Sequence, residues 1–184
     1  MDYINSTHFL DHIKKKKIIN NPTSIRNVSE KFYSTKFLRY MPETIFTKNI
    51  KQISSFLGKN KKIVVKPIHG YAGKNIIYIN KTLNQGILKK YIKKFDHVMV
   101  QKYLNKVQEG DKRVFIINGK VKGAIRRLPR KGSILSNISQ GGIALKTKLN
   151  SRELKISKIV ATSLKKSGIF FAGIDLVGGY LIGD

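Results

Sequence analysis

Residues 61–79 read KKIVVKPIHGYAGKNIIYI, two β-type apolar runs joined by a loop that carries Gly70 and Gly73. Pro67 ends the first run because proline cannot donate to a strand ladder, so the stretch predicts a hairpin with a glycine-bearing tip. Backbone N–H groups at glycine can approach anionic oxygens closely, and Lys66 adds a positive charge where the first strand ends. The loop is therefore a candidate phosphate cradle. An ordinary hairpin that uses glycine for turn geometry is the alternative interpretation.

Outward from this hairpin, helix-like and strand-like segments alternate without repeats or low-complexity linkers, which is typical of a mixed α/β chain of the α+β kind. Toward the N-terminus, His8–Lys17 predicts a short amphipathic helix. The lysine cluster Lys14–Lys17 would close this helix at the negative end of its dipole. Thr23 or Ser24 can cap a second helix that runs to about Tyr40.

Toward the C-terminus, two local signals predict further elements. Asn118-Gly119 lies between two apolar runs and favours a type I′ turn, in which both central residues take positive φ, so a second hairpin is expected there. Asn150 and Glu153 have the spacing of a capping box and predict a helix start, and Gly168 is placed to end that helix.

Length and composition set the broad class. The chain has 184 residues, of which 41% are hydrophobic, enough for a sizeable core in one domain or two small lobes. No stretch approaches the roughly 18 uninterrupted apolar residues that a bilayer crossing needs, which favours a cytoplasmic protein without a membrane partner. Cysteine is absent and the four histidines are scattered, so disulfides and a structural zinc site are not expected.

The charge is strongly positive, with 37 Lys and Arg against 10 Asp and Glu for a net charge of +27. Such a balance points to nucleic acid, anionic lipid or a phosphorylated ligand. The basic residues are mostly lysines spread over the whole chain beside many Ile and Asn, a pattern expected from an A/T-rich coding sequence. Background composition is therefore favoured over a dedicated nucleic-acid partner.

Two further segments carry polar groups where chemistry could use them. Gln101–Leu104 leaves a buried-type strand, where backbone groups can read an adenine edge, and acidic residues some ten positions later can accept from ribose hydroxyls; a plain polar connection is the alternative. Asp175 stands inside the apolar strand Phe170–Val177. A carboxylate there costs several kcal/mol unless it is paired or bound to a cation, and Mg²⁺ beside nucleotide phosphates would satisfy it.

In order, these segments resemble the prokaryotic glutathione synthetases over essentially the whole chain. Several segments in one order are far more specific than any single motif. The matching segments are Asn21-Pro22 through Glu30-Lys31, Lys66-Pro67 with its glycine loop, Gln101-Lys102-Tyr103-Leu104, Gly110-Asp111-Lys112-Arg113-Val114, Arg127-Leu128-Pro129, Ser136-Asn137 with Gly141-Gly142, and Phe171-Ala172-Gly173-Ile174-Asp175.

The resemblance implies the ATP-grasp fold, in which two α/β lobes close on a nucleotide. It implies three regions: a remnant of an N-terminal substrate domain with a linker (1–30), a small lid subdomain (31–100) and a C-terminal subdomain (101–184). The residues it assigns to ATP are Lys31 and Lys66 at the phosphates, Gly70, Tyr71, Ala72 and Gly73 in the covering loop, Gln101, Lys102, Tyr103 and Leu104 in the adenine hinge, and Asp111 at the ribose.

The implied reaction joins γ-glutamylcysteine to glycine at the expense of ATP through an acyl phosphate. Such phosphoryl transfer needs positioning and charge neutralisation more than a protein nucleophile, so lysines, arginines and Mg²⁺ or Mn²⁺ suffice. The resemblance assigns Arg113 and Arg127 to catalysis and substrate binding, Asn137, Gly141 and Gly142 to substrate binding, and Asp175 and Asp184 to the metal.

The sequence departs from the family pattern at several positions. Ala72 stands where glycine is common, and Leu135 stands where many relatives have a substrate-holding arginine. The family continues beyond its second-last strand into a Glu-x-Asn metal segment, so Asp184 is placed as the second carboxylate with one extra turn residue. We therefore expect this chain to be a fragment with little ligase activity alone, from a protein whose full-length form is a homo-oligomer.

Two other functions stay open on sequence grounds. Another ATP-grasp carboxylate–amine ligase would keep the nucleotide chemistry and change the substrate. A basic nucleic-acid-binding module would explain the charge, but aromatic residues do not recur beside basic ones on one strand face as a base-stacking platform requires.

Overall fold

Two antiparallel sheets organise the chain in this computed structural model, which describes residues 3–14, 16–70, 73–82, 84–130, 136, 138 and 141–183. The first sheet has the strand order β1-β4-β2-β3. Its strands are β1 (Thr44–Thr47), β2 (Lys62–Pro67), β3 (Ile77–Asn80) and β4 (Val98–Lys102).

The second sheet has the order β7-β6-β5-β8-β9 and is also antiparallel between all neighbours. Its strands are β5 (Asp111–Ile117), β6 (Lys120–Leu128), β7 (Ile143–Lys146), β8 (Phe171–Val177) and β9 (Tyr180–Gly183). The mixed α/β expectation is therefore confirmed, with each sheet formed by a continuous part of the chain.

Helices connect and cover the sheets. They are α1 (Tyr3–Asp11), α2 (Pro22–Asn27), α3 (Glu30–Tyr33), α4 (Ile50–Asn60), α5 (Gln85–Phe95) and α6 (Ser151–Lys166), with 3₁₀ segments at Ser34–Tyr40 and Asn105–Glu109. The first sheet contains Gln101 and Lys102, which the sequence interpretation places at the start of the second subdomain. The subdomain boundaries themselves stay a prediction.

One core lies between the first sheet and helices α4 and α5. Alternate residues of β2 are buried, because successive side chains of a strand point to opposite faces. The buried residues of this small-lobe core are Ile53, Phe56, Leu57, Ile63, Val65, Leu88, Tyr91, Val98 and Val100. The opposite face of this sheet is consequently left for polar side chains.

A second core lies between the five-stranded sheet, α6 and the segment from α3 to Met41. Tyr33 of α3 is buried there, and its hydroxyl lies 2.8 Å from Ser163 Oγ and 2.9 Å from Ser167 Oγ of α6. Met99 of β4 also belongs to this core, so β4 packs against both. These contacts fix α3 on the five-stranded sheet and α6, which together form what we call the large lobe.

The predicted second hairpin is confirmed. Asn118 and Gly119 have φ of 48° and 71°, the two positive values that a type I′ turn requires. The register shifts by one residue between Phe115 and Ile116, which is a β-bulge. Beyond the bulge, Arg127 lies opposite Asp111.

The predicted capping box is also confirmed. The Asn150 side chain accepts from the Glu153 N–H at 2.9 Å, and Glu153 Oε2 accepts from the Asn150 N–H at 2.9 Å. The same Glu153 oxygen accepts from Lys112 Nζ at 2.7 Å, which ties the start of α6 to β5. Gly168 follows the helix with φ of 77°, as expected of a residue that ends a helix.

Two helix predictions were wrong. The first helix spans Tyr3–Asp11 and ends before Lys14–Lys17, where repulsion between neighbouring lysines disfavours a further turn. The predicted second helix is divided into α2, α3 and a 3₁₀ segment. Asn21 caps α2, with Pro22 in the first turn, because proline is tolerated there and Asn21 can accept from the Ser24 N–H.

Within the described part of the chain, no helix is both long and apolar enough to cross a bilayer.

The capping box gives a stability prediction. Asn150→Ala removes the acceptor for the Glu153 N–H, and we expect the free energy of unfolding to fall by about 1 kcal/mol in urea denaturation. Lys155→Ala, at an exposed position of the same helix, is the matched control and should stay within about 0.5 kcal/mol of the parent. Equal stability of the two variants would contradict a role for the cap.

Candidate functional site

A lysine crosses the gap between the two sheets. Lys66 projects from the face of the first sheet that is turned away from α4 and α5, since its neighbour Val65 belongs to the small-lobe core. Its Nζ donates to Gln101 Oε1 at 2.7 Å and to the Ile182 carbonyl of β9 at 3.1 Å. Gln101 is itself held, because its Nε2 donates to Thr44 Oγ1 at 3.1 Å. The two sheets therefore meet at Lys66, and we call the space around this contact the cleft.

A second lysine approaches from the large lobe. Lys31, on α3, donates from Nζ to the carbonyl of Gly70 at 2.9 Å. Gly70 begins the glycine-bearing loop after β2, and Gly73 in the same loop has φ of 72°. Lys31 therefore lies at the loop that the sequence identifies as a candidate phosphate cradle.

The pKa of Lys66 depends on burial and on the other charges near its ammonium. Burial, together with the positive charge of Lys31, lowers the pKa of Lys66 to about 8, although the charges of Asp175 and Asp111 oppose the shift. These four side chains thus share one electrostatic environment. Among the described residues, the hydrogen-bond acceptors of Lys66 are neutral oxygens, so its ammonium is poorly compensated.

On the five-stranded sheet, an arginine and an aspartate pair across β5 and β8. Arg113 lies directly opposite Asp175 in the register. Its Nε donates to Oδ1 at 2.5 Å and its second terminal nitrogen donates to Oδ2 at 2.7 Å, a bidentate pair of the strong, charge-assisted kind. The apolar strand position of Asp175 is thus compensated by this guanidinium.

A second pair lies beside the first. Arg127 of β6 donates to both oxygens of Asp111, at 2.7 and 2.8 Å, and also contacts Asp175 Oδ1 at 2.9 Å. The Arg127 side chain is only 6% exposed, against 30% for Arg113. Arg127 is therefore enclosed by carboxylates, whereas Arg113 is the more accessible guanidinium. We call these four residues the charge network: Asp111, Arg113, Arg127 and Asp175.

Burial acts on the charge network. It raises the pKa of the Asp111 carboxyl, with the Asp175 charge adding to the rise and Arg127 opposing it. Burial also acts to lower the pKa of Arg127, but Asp111 and Asp175 outweigh it and the pKa is raised. Because a guanidinium keeps its proton, Arg127 stays a cation between two carboxylates. The ribose role that the sequence assigns to Asp111 stays a prediction.

Gly173 makes room for this arrangement. A Cβ atom built on Gly173 would lie 2.7 Å from Arg113 Cδ, so the absence of a side chain lets Arg113 lie across β8 toward Asp175. This role of Gly173 was not predicted from the sequence, although the residue lies in the motif that ends at Asp175. The signal was present, since residues 173 and 175 lie on one face of a strand.

The predicted adenine hinge follows β4. Lys102 is exposed and lies on the opposite face of its strand from Gln101. The Tyr103 N–H donates to the Lys62 carbonyl at 3.0 Å, and its ring packs on Tyr78 with centroids 4.7 Å apart. Leu104 precedes the 3₁₀ segment. The structure therefore places Gln101 in the cleft and Tyr103 beside it, with the Lys102 side chain directed away.

The predicted substrate loop begins where β6 ends. Gly141 has φ of 84° and packs against the Arg130 side chain, and Gly142 directly precedes β7. Ser136 is 3% exposed, and its Oγ has no hydrogen-bond partner among the described residues. Four predicted site residues lie outside the described residues: Tyr71, Ala72, Asn137 and Asp184.

The donor set for magnesium is partial. Asp175 offers carboxylate oxygens, which Mg²⁺ prefers. Among the described residues, Oδ2 accepts one hydrogen bond, from Arg113, so a lone pair remains that could bind a cation. The described residues contain no cluster of three or more His, Cys, Asp or Glu side chains that could hold a metal. Mg²⁺ beside nucleotides commonly uses one or two carboxylates plus phosphate oxygens, and Asp175 fits such a site as one ligand.

Two mixed lobes with a lysine-lined cleft between them define an ATP-grasp protein. D-cycloserine synthetase DcsG aligns over 99% of this chain and 68% of its own, with a TM-score of 0.75 and 16% identity. The D-alanine–D-alanine ligase from Bacillus anthracis, solved with ATP, aligns over 89% of this chain and 56% of its own, with a TM-score of 0.59 and 20% identity. At these identities the likeness concerns the fold.

The family model described as prokaryotic glutathione synthetase, ATP-grasp domain, matches residues 30–183, and the chain belongs to this family. The glutathione synthetase of Bradyrhizobium diazoefficiens is 35% identical over 97% of this chain and 58% of its own length. That of Buchnera aphidicola subsp. Baizongia pistaciae is 37% identical over 96% of this chain and 56% of its own. The chain thus spans somewhat over half the length of these curated relatives.

The space at Gly173 gives a testable prediction. Gly173→Ala would displace Arg113 from Asp175, and we expect the free energy of unfolding to fall by about 1 kcal/mol or more in urea denaturation. Gly123→Ala is the matched control on β6, since a Cβ there meets no atom within 4 Å, and it should be neutral or stabilising by up to about 1 kcal/mol. The same small effect in both variants would show that Arg113 does not need this space.

Proposed function

We propose that this chain is the nucleotide-binding part of a glutathione synthetase, which joins γ-glutamylcysteine to glycine with hydrolysis of ATP to ADP and phosphate. The observation that carries the proposal is the ammonium of Lys66, which lies in the cleft between the sheets with neutral hydrogen-bond acceptors. Among the described residues no carboxylate accepts a hydrogen bond from this ammonium, and a triphosphate would supply an anionic acceptor. The membership of the chain in the glutathione synthetase family supports the choice among ATP-grasp reactions.

In this proposal, Lys66 and Lys31 bind the nucleotide phosphates. Both already donate to carbonyl oxygens at the cleft, at Ile182 and Gly70, so a phosphate oxygen would replace those acceptors without a large movement of either lysine. The loop from Gly70 to Gly73 covers the phosphates, and residues 101–104 hold the base. Charge-assisted bonds of this kind are about twice as strong as bonds between neutral groups.

The peptide carboxylate would meet Arg113. This guanidinium is partly exposed, and its planar donors suit a carboxylate and the acyl phosphate formed from it. The carboxylate oxygen attacks the γ-phosphate and ADP leaves; the glycine amine then displaces phosphate from the acyl carbon. Arg127 is enclosed by Asp111 and Asp175, so we assign it to holding that pair in place. In the same proposal, Gly141, Gly142 and Asn137 contact the peptide.

Asp175 is the candidate magnesium ligand among the described residues. The contacts with Arg113 and Arg127 hold its carboxylate in place, and Oδ2 would accept a cation. Mg²⁺ bound there would neutralise charge on the transferred phosphate. Asp184 as a second ligand belongs to the same proposal, as do a cytoplasmic location and a homo-oligomeric full-length protein.

Nucleotide binding is tested by thermal protection. We expect Mg-ATP at about 100 times its Kd to stabilise the parent chain by roughly 2.7 kcal/mol, seen as a rise in melting temperature, because it binds the folded state alone. Lys66→Ala should abolish most of this rise. Lys89→Ala, which removes an exposed lysine on α5 across the first sheet from the cleft, is the charge-matched control and should keep it.

The same assay separates the two classes of partner. A single-stranded oligonucleotide at the same phosphate concentration should give no protection at 0.15 M salt. Protection by the oligonucleotide and none by Mg-ATP would overturn the ligase proposal in favour of a basic nucleic-acid-binding module, whose affinity would fall steeply with added salt.

The lowered pKa of Lys66 predicts a pH dependence of binding. Below pH 8 the free protein carries the ammonium that phosphate needs, and above pH 8 it does not. We expect the affinity for Mg-ATP to fall about tenfold between pH 7 and pH 9 by calorimetric titration. Lys66→Arg keeps its charge over this range and should remove most of the decline; an equal decline in both proteins would exclude Lys66 as its origin.

Without nucleotide, the lowered pKa of Lys66 makes folding stability rise with pH, whereas the affinity for Mg-ATP falls with pH. The folded-state pKa of Lys66 lies below the ordinary value of 10.5, so between about pH 8 and 10.5 the unfolded chain binds the proton that the folded chain has lost. This contribution therefore raises the free energy of unfolding as pH increases through that window.

A further inference from the structure

Two tyrosine rings pack on each other beside the end of β4, next to Gln101 in sequence. Tyr78 is on β3 and Tyr103 follows β4, and their ring centroids are 4.7 Å apart with planes inclined by 50°. The backbone of Tyr103 is fixed by its N–H, which donates to the Lys62 carbonyl at 3.0 Å. The rings therefore join the edge strand of the first sheet to the connection between the lobes.

Tyr78 points to the same side of the sheet as the cleft residues. Its neighbours Ile77 and Ile79 pack against the small-lobe core, so Tyr78 projects from the opposite face. Lys66 and Gln101 project from that face as well, since they meet at 2.7 Å across the gap from β9. The tyrosine pair and the phosphate-binding lysine thus line one continuous surface.

The strand register gives the spacing along this surface. Tyr78 lies opposite Val64, which in turn lies opposite Gln101. Lys66 is two residues along β2 from Val64. With strands about 4.8 Å apart and a rise of about 3.4 Å per residue, Tyr78 and Lys66 are separated by roughly 8 Å. A ribose can bridge such a separation between a bound phosphate and a base.

Core packing does not account for Tyr78. Its side chain belongs to neither buried core. The residue is 37% exposed on β3, which is the short edge strand of its sheet. The ring packs on Tyr103, and Tyr78 stays partly exposed on the face of the sheet that carries Lys66 and Gln101. Aromatic rings pack favourably on the π-face of any base. The exposed ring is thus suited to cover a nucleotide base.

We propose that Tyr78 is a base-binding residue of the nucleotide site: its ring holds Tyr103 in place, and together the two rings form an aromatic wall against which the nucleotide base packs. This inference rests on the proposed ATP-binding function and adds a base-contacting residue outside the sequence motifs. A purely structural role of the ring pair in anchoring β3 is the competing explanation.

The test separates base binding from phosphate binding. Calorimetric titration of the full 184-residue chain with Mg-ATP and with Mg-tripolyphosphate measures the two parts, since tripolyphosphate has no base. We expect Tyr78→Ala to weaken Mg-ATP binding about tenfold, the lower range for loss of a base–aromatic contact, and to leave tripolyphosphate affinity unchanged. Tyr78→Phe keeps the ring and should bind both as the parent does.

Asn80→Ala is the matched control, because Asn80 is an exposed residue on the same face of the same strand. It should leave both affinities unchanged. If Tyr78→Ala does not fold by circular dichroism, Tyr78→Thr removes the ring and keeps a residue that favours strands. Because the chain has no tryptophan, a change in tyrosine fluorescence on adding Mg-ATP, but not Mg-tripolyphosphate, is a second measurement, and it should be reduced in the ring-deleted variant.

The outcomes distinguish the two proposals. Parent-like Mg-ATP affinity in Tyr78→Ala would overturn the role of Tyr78 and leave the proposed function standing. Equal losses for Mg-ATP and Mg-tripolyphosphate would assign the ring pair to structural support of the lobe and also overturn it. If the parent chain binds neither ligand, the proposed function fails, and this inference fails with it.

Discussion

The bidentate pairing of Arg113 with Asp175 across β5 and β8 is the interaction on which the large lobe's site depends. A carboxylate in an apolar strand is costly, and Arg113 compensates it while Arg127 joins Asp175 to Asp111. Removing one member would leave its partner uncompensated, so the four groups act as a unit. The charge network thereby fixes side chains that a substrate carboxylate and a cation can use.

Lys66 connects this network to the small lobe. It leaves the first sheet, bonds to Gln101 and reaches the carbonyl of Ile182 on β9, so the two lobes meet at one ammonium group. Burial and the charge of Lys31 lower the pKa of Lys66, and its neutral acceptors are weaker partners than a phosphate would be. The same contacts that join the lobes are therefore those that a nucleotide would exchange, and the tyrosine pair extends this surface toward a base.

Much of the fold was predictable because its signals are local. The Asn118-Gly119 turn needs positive φ at both residues, and the Asn150 and Glu153 spacing satisfies orphan N–H groups within four residues. The mixed α/β class followed from the same signals. The first helix was misplaced because repulsion among Lys14–Lys17 outweighed their favourable position at a helix end.

The sequence by itself determined which residue types were available: the lysines, the arginines and the carboxylates in recognisable segments. Their meeting was decided by tertiary structure. Ile117 pairs with Lys120, so a hairpin without a bulge would place Arg126 opposite Asp111. The bulge after Phe115 places Arg127 there instead. Because a one-residue shift moves a side chain to the other face of a sheet, this bulge brings Arg127 into the charge network. The Ile182 carbonyl and the Tyr78 ring were equally beyond prediction, since long-range strand pairing brings them to Lys66 and Tyr103.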